Sequence, residues 1–174
     1  MTSVVDLDAA FDNLQDELTE VLESESRDQP LFVGIQTGGL WVAQRLQRAL
    51  DLDGTIGTID ISFYRDDFSR IGLDPSVGHT SLPFDIVDRH VVLVDDVLHT
   101  GRTVRAALNE LFDYGRPASV ALAILIERGG RELPIHADAV GVMLDLEPSQ
   151  HVQLLGPEPL SVEIMTVQRR GDDT

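Results

Sequence analysis

Hydrophobic and polar positions along this chain alternate with two different periods. From Phe11, apolar residues recur at Leu14, Leu18, Val21 and Leu22 with acids between them, the spacing of an amphipathic helix that covers a core. This helix is assigned to residues 1–29. A short β-branched run follows, LFVGI from Leu31 to Ile35, introduced by Pro30 and closed by the turn Gln36-Thr37-Gly38-Gly39; it predicts a strand running into a helix. In that helix, LWVAQRLQRAL, Leu40, Ala43, Leu46 (or Gln47) and Leu50 form one stripe that ends before Asp53-Gly54. A second strand is predicted over TIGTIDISFY, which leads into the charged Arg65-Asp66-Asp67. Residues 68–83 hold two glycines and two prolines and no sustained period, which predicts a flexible lid. Then come an apolar strand, VVLV from Val91, a helix from Val104 to Tyr114 and a strand, SVALAILIE, from Ser119 to Glu127. Short strand-like pieces divided by Gly and Pro fill the remainder, and a small hood with edge strands is expected over 128–160.

Alternating strands and helices predict an α/β fold, a doubly wound, mainly parallel twisted sheet flanked by helices. With 174 residues and 43% apolar content, the chain is expected to form one domain, 1–174, with one sizeable core. No apolar run is long enough to span a membrane, and the start, MTSVVDLDAAFDNL, has no basic segment leading an apolar one, so a cytoplasmic protein is expected. Cysteine is absent, which excludes disulfides, thiolate metal sites and a cysteine nucleophile. Any metal sits on oxygen ligands, which suits Mg²⁺. The formal charge is −17, and all 13 cationic residues are arginine. A field of that sign opposes nonspecific binding to nucleic acid or anionic membrane. Nine acids stand against one arginine between Met1 and Gln29, a pattern that reads as a solvated helix face, with an acidic interaction tail as the alternative.

The chemistry concentrates in VVLVDDVLHTGRT, Val91 to Thr103. Adjacent carboxylates repel, and withdrawal from water adds a desolvation cost, so Asp95 and Asp96 call for a compensating ligand. In an open parallel sheet, ligands sit beyond the carboxyl ends of the strands, where this pair falls. Two diverging carboxylates suit neighbouring hydroxyls, such as a ribose diol, or a hydrated cation. The following His99-Thr100-Gly101-Arg102-Thr103 opens a helix, whose free N–H groups and dipole suit a phosphate. A diol site beside a phosphate site describes a ribose 5-phosphate. Helix capping by an acid and a threonine is the alternative for an isolated Asp-Asp. The loop Thr37-Gly38-Gly39 also joins a strand to a helix N-terminus, and its amides suit a diphosphate.

These residues resemble the type I phosphoribosyltransferases, whose signature binds 5-phosphoribosyl 1-diphosphate (PRPP). GIQTGGLWVAQRL, DISFYRDD, LPFDIVDRHVVLVDDVLHTGRTVRAALNELFDYGRPASV and ERGGRELPIHAD narrow the resemblance to the PyrR family of pyrimidine operon attenuators and uracil phosphoribosyltransferases. The resemblance implies the reaction of uracil with PRPP to give UMP and diphosphate, with Mg²⁺, in a homo-oligomer. It implies that Asp95 and Asp96 hold the ribose hydroxyls, directly or through metal or water. It assigns His99, Thr100, Gly101, Arg102 and Thr103 to the 5-phosphate, Thr37, Gly38 and Gly39 to diphosphate, and Val97 and Leu98 to the PRPP- or UMP-binding stretch between them. Arg65 and Arg70 would counter leaving-group charge, and Arg128, Arg131 and His136 would contribute to the hood over the base. The chain departs from the family's frequent Thr-Arg-Gly by carrying Gly38, and Gly141-Val142-Met143-Leu144 replaces a Gly-Lys-Asn-type stretch. His99 stands where tyrosine is commoner and reads as a tolerated loop residue, whereas His79 is assigned to the lid. Two other functions compete with uracil transfer. One is a UMP- or PRPP-sensing attenuator of leader RNA, which the scattered Arg45, Arg48, Arg105 and Arg116 and the negative field disfavour; the other is transfer to a different nucleobase.

Overall fold

The computed structural model describes residues 5–62 and 79–167. Helix α1 (Leu7–Ser24) begins where the Asp6 carboxylate accepts the Ala9 N–H at 3.0 Å, a cap that satisfies one otherwise unpaired amide. Its apolar stripe of Ala10, Phe11, Leu14 and Leu18 is buried, as the helical spacing predicts. Strands β1 (Leu31–Ile35), β2 (Gly57–Ile59), β3 (His90–Leu98), β4 (Ser119–Arg128) and β5 (Ala139–Leu144) form one parallel sheet in the order β2-β1-β3-β4-β5. Helices α2 (Gly38–Ala49) and α3 (Arg102–Asp113) connect β1 to β2 and β3 to β4.

Both sheet faces are covered, which is why the central strands read as continuous apolar runs rather than alternating ones. Phe32, Val92, Val94, Ala123 and Leu125 pack with α1 and α2 on one face. Val33, Leu93, Leu122 and Ile124 pack with α3 residues Val104, Ala107 and Leu111 on the other. This is the doubly wound architecture expected from the alternation of elements.

Three boundaries differ from those the sequence predicts, each for a visible reason. Strand β2 covers Gly57–Ile59, shorter at both ends than the predicted run from Thr55 to Tyr64, of which Phe63 and Tyr64 lie outside the described residues. Past Ile59 the chain leaves the sheet, because the Asp60 N–H donates to Thr80 Oγ1 and the Ser62 N–H to the Asp60 carboxylate. Strand β3 does not end at Val94 but continues to Leu98, held by its register with β4 as far as Leu98↔Glu127. Helix α3 starts at Arg102, two residues before Val104. In the C-terminal part, β5 is the expected edge strand, whereas β6 (Gln150–Leu155) and β7 (Ser161–Thr166) form a separate antiparallel hairpin. Leu154 of that hairpin is buried in the α1/α2 face. Of the predicted lid, residues 68–78 lie outside the described residues. Ser81, in its remainder, pairs with Thr58.

Candidate active site at the β1/β3 junction

Chain order reverses between β1 and β3: the chain steps from β1 outward to β2, then returns to β3 and proceeds through β4 to β5. A crevice opens at such a switch point beyond the strand ends. The register shows where. The pairing of β1 with β3 ends at Gly34↔Val94, so Asp95 and Asp96 are the first β3 residues past the end of that ladder. Within the strand, Asp95 Oδ1 accepts the Asp96 N–H at 2.9 Å and Asp96 Oδ1 accepts the Val97 N–H at 3.0 Å. Asp95 is 2% exposed and Asp96 half-buried.

The loop after β1 closes directly over this pair. A Cβ on Gly38 would lie 2.5 Å from Asp96 Cγ, and one on Gly39 would lie 2.5 Å from the Val94 carbonyl oxygen and 3.0 Å from Asp95 Cα. Only glycines allow the start of α2 to approach so closely. A loop and a strand separated by almost sixty residues in sequence therefore meet at this point. The Gln36–Thr37 peptide that enters the loop is cis.

Electrostatics distinguish these two helix starts from that of α1. Helix α1 has both a capping carboxylate and an acid, Asp8, in its first turn. Neither α2 nor α3 has an acid in its first turn, and neither cap residue, Thr37 or Gly101, makes a side-chain capping bond. In a chain with 30 acidic residues, neither helix carries an acid in its own first turn, and their N–H groups and positive dipole ends suit anions. At α3 the Arg102 N–H has one local acceptor, Thr100 Oγ1 at 3.2 Å. Gly101 adopts φ 92°, a left-handed conformation that glycine accommodates without strain.

The phosphoribosyl transferase domain family matches residues 3–157. A bifunctional protein PyrR of Nitrosococcus oceani is 54% identical over 165 residues, covering 94% of this chain and 93% of the relative. One from Pseudomonas paraeruginosa is 57% identical over 78% of this chain and 80% of the relative. The fold is similar to that of a hypoxanthine-guanine-xanthine phosphoribosyltransferase, with TM-score 0.62 at 20% identity over 98% of this chain and 96% of that one. This chain belongs to the PyrR family of phosphoribosyltransferases.

Within this family member, the residues assigned by resemblance fall into three groups. Thr37, Gly38, Gly39, Asp95 and Asp96 come together at the β1/β3 junction, and β3 carries Val97 and Leu98 on to His99, Thr100, Gly101, Arg102 and Thr103 at the start of α3. Arg65 and Arg70 lie outside the described residues. The expected hood residues are placed differently from free base contacts. Arg128 is 5% exposed, and its guanidinium donates to the main-chain carbonyls of Gln150, Glu147 and Gly129. It therefore ties the end of β4 to the β6–β7 hairpin, a structural use that its sequence position does not signal. Arg131 and His136 are exposed and contact each other, Nη1 to Nδ1, at 2.7 Å. His79 is exposed.

His99 lies close to the segment that follows β4, since a Cβ on Gly130 would lie 2.9 Å from its Nε2. Burial pushes its imidazole below the ordinary histidine range, with the Arg128 guanidinium and His151 adding to the shift and Glu132 opposing it. A lowered folded pKa means the unfolded chain binds the proton more tightly. The stabilisation from this group is therefore complete above the ordinary histidine pKa and is lost as pH falls towards the folded value. His99→Gln is expected to flatten the fall in Tm between about pH 7 and pH 5, as followed by thermal melts. An unchanged slope would show that His99 does not contribute to acid sensitivity.

Proposed function

We propose that this chain transfers the phosphoribosyl group of PRPP to uracil, forming UMP and diphosphate. The observation that carries the reading is the contact of Gly38 and Gly39 with Asp96 and Asp95, which unites a candidate diphosphate loop with a candidate ribose site. In this reading Asp95 and Asp96 hold the ribose hydroxyls and His99 to Thr103 the 5-phosphate, while Thr37 to Gly39 hold the diphosphate. Uracil N1 bonds to C1′ as the bond from C1′ to the diphosphate oxygen breaks, and the N1 proton passes to solvent. By analogy with other glycosyl transfers the transition state is oxocarbenium-like. The chain's contribution is to orient the two reactants and direct N–H groups at the departing oxygens.

The donor set fits a hard cation. Asp95 and Asp96 offer only oxygen, and the Asp96 carboxylate lies against the glycine loop, so these residues would hold Mg²⁺ directly or through water. Bound Mg²⁺ supplies charge neutralisation for the diphosphate. Family resemblance assigns Arg65 and Arg70 the same purpose.

Uracil is favoured by the PyrR relatives that match most of the chain. Catalysis is favoured over leader-RNA binding by how the described arginines are used. Arg45 pairs with Asp8 at 2.6 Å and lies 4.0 Å over the Phe11 ring; Arg27 and Arg102 pair with Glu25 and Glu132; Arg128 is buried. The other described arginines are scattered under a net charge of −17, a field that disfavours a basic face. Among the described residues no helix is long and apolar enough to cross a membrane, and we place the activity in the cytoplasm, in a homo-oligomer.

The test offers uracil, hypoxanthine, guanine and xanthine separately with PRPP and Mg²⁺. UMP formation from uracil, with little product from the purines, is expected. Preferential turnover of a purine would transfer the reading to another base. No turnover of any base, with PRPP or UMP still bound, would replace the enzyme with a sensor.

A further inference from the structure

Residues 129–135 follow β4 and are docked on the loop that opens α3. Hydrogen bonds, an ion pair and two close backbone approaches hold them. The N–H groups of Glu132 and Leu133 both donate to the Thr100 carbonyl, at 2.9 and 3.1 Å. Arg102 Nε donates to the Glu132 carboxylate at 2.9 Å. A Cβ on Gly101 would lie 3.2 Å from Ile135 Cβ and 3.3 Å from Leu133 Cβ, and one on Gly130 would lie 2.9 Å from His99 Nε2. Glu132 engages the loop twice, through its main chain at Thr100 and its side chain at Arg102.

We propose that Glu132 is a positioning residue that couples occupancy of the phosphate loop to the setting of the hood. This rests on the reading of His99 to Thr103 as the 5-phosphate site. A phosphate drawn to the α3 N-terminus fixes the peptides of Thr100 and Arg102. The same peptide and side chain anchor Glu132, so ordering the loop orders residues 129–135 as well. Energetic coupling between two sites requires an element that both sites bias, and here that element is the pair of loops bridged by Glu132.

Deuterium exchange with ribose 5-phosphate as the probe tests the coupling. In the unmodified chain the probe is expected to slow exchange both at 99–103 and at 129–135, where the Glu132 and Leu133 amides report. Glu132→Gln keeps the slowing at 99–103 and loses about fivefold of it at 129–135, the upper range for one exposed ion pair. The KM for uracil rises by about the same factor, while kcat stays within about twofold and Tm is unchanged. Arg102→Gln combined with Glu132→Gln is expected to raise the uracil KM no further than the larger single change, as for two partners of one contact. The proposal is overturned if Glu132→Gln matches the unmodified chain in hood exchange and uracil KM while the probe still protects 99–103. Failure of the probe to protect 99–103 in the unmodified chain is a different result, which sinks the phosphate-loop reading itself.

Discussion

Asp95→Asn combined with Asp96→Asn is expected to lower kcat/KM for PRPP by about a thousandfold, or ~4 kcal/mol, while the fold survives. The size follows from the contacts at stake. Each carboxylate is assigned a charge-assisted bond to a ribose hydroxyl, worth about 1.5–3 kcal/mol, and its charge is also assigned to the cation. Asparagine keeps an oxygen in place of each Oδ1, so the bonds from the Asp96 and Val97 amides can persist. Removing two adjacent negative charges, one of them 2% exposed, also removes repulsion and desolvation cost. Tm is therefore expected within about 4 °C of the unmodified chain, since ~1 kcal/mol corresponds to about 2–4 °C at this size. Steady-state kinetics and a thermal melt on the same preparation check both halves. Full activity would mean that the pair serves only as local caps.

Gly39→Ala is expected to produce a large loss of stability. Its added methyl would lie 2.5 Å from the Val94 carbonyl oxygen and 3.0 Å from Asp95 Cα, both in the backbone of the central strand, where nothing can rotate aside. Overpacking of this kind costs about 3 kcal/mol at its upper range, which lowers Tm by roughly 6–12 °C. The neighbouring Gly38 provides the contrast. A methyl there meets the Asp96 side chain, which can swing away. Gly38→Ala should accordingly melt near the unmodified temperature yet lose most of its activity, because the displaced group is the assigned ribose ligand. Equal melting temperatures for the two variants would contradict the close approach of α2 to β3.

The parts of this protein that are legible in its sequence are those whose signal is local. LFVGI, VVLV and SVALAILIE are β-branched runs bounded by turns, and they form three adjacent parallel strands. VVLVDDVLHTGRT carries its chemistry within thirteen residues, so the order of the residues alone places the carboxylates beside the helix start. The end of β2 is not legible, because it depends on Thr80 and on a carboxylate two residues away competing for amides. The two roles of the ERGGRELPIHAD segment are hidden for a related reason. Arg128 resembles an available cation until its partners, carbonyls near residue 150, are seen. The position of Glu132 is equally hidden, since backbone bonds from 132 and 133 to Thr100 leave no trace in composition or periodicity. A charge at Arg102 with an acid about thirty residues downstream is the only hint of it.

The β1/β3 junction is proposed as a PRPP site built from the glycine loop, the paired aspartates of β3 and the loop that opens α3. Calorimetric titration of PRPP, with Mg²⁺ present, into the unmodified chain and into the Asp95→Asn, Asp96→Asn variant tests it most directly. Saturable binding at one site per chain is expected, weakened by at least about a hundredfold in the folded variant, which corresponds to ~2.7 kcal/mol. Absence of saturable binding in the unmodified chain, or equal affinity in the two proteins, would contradict the account.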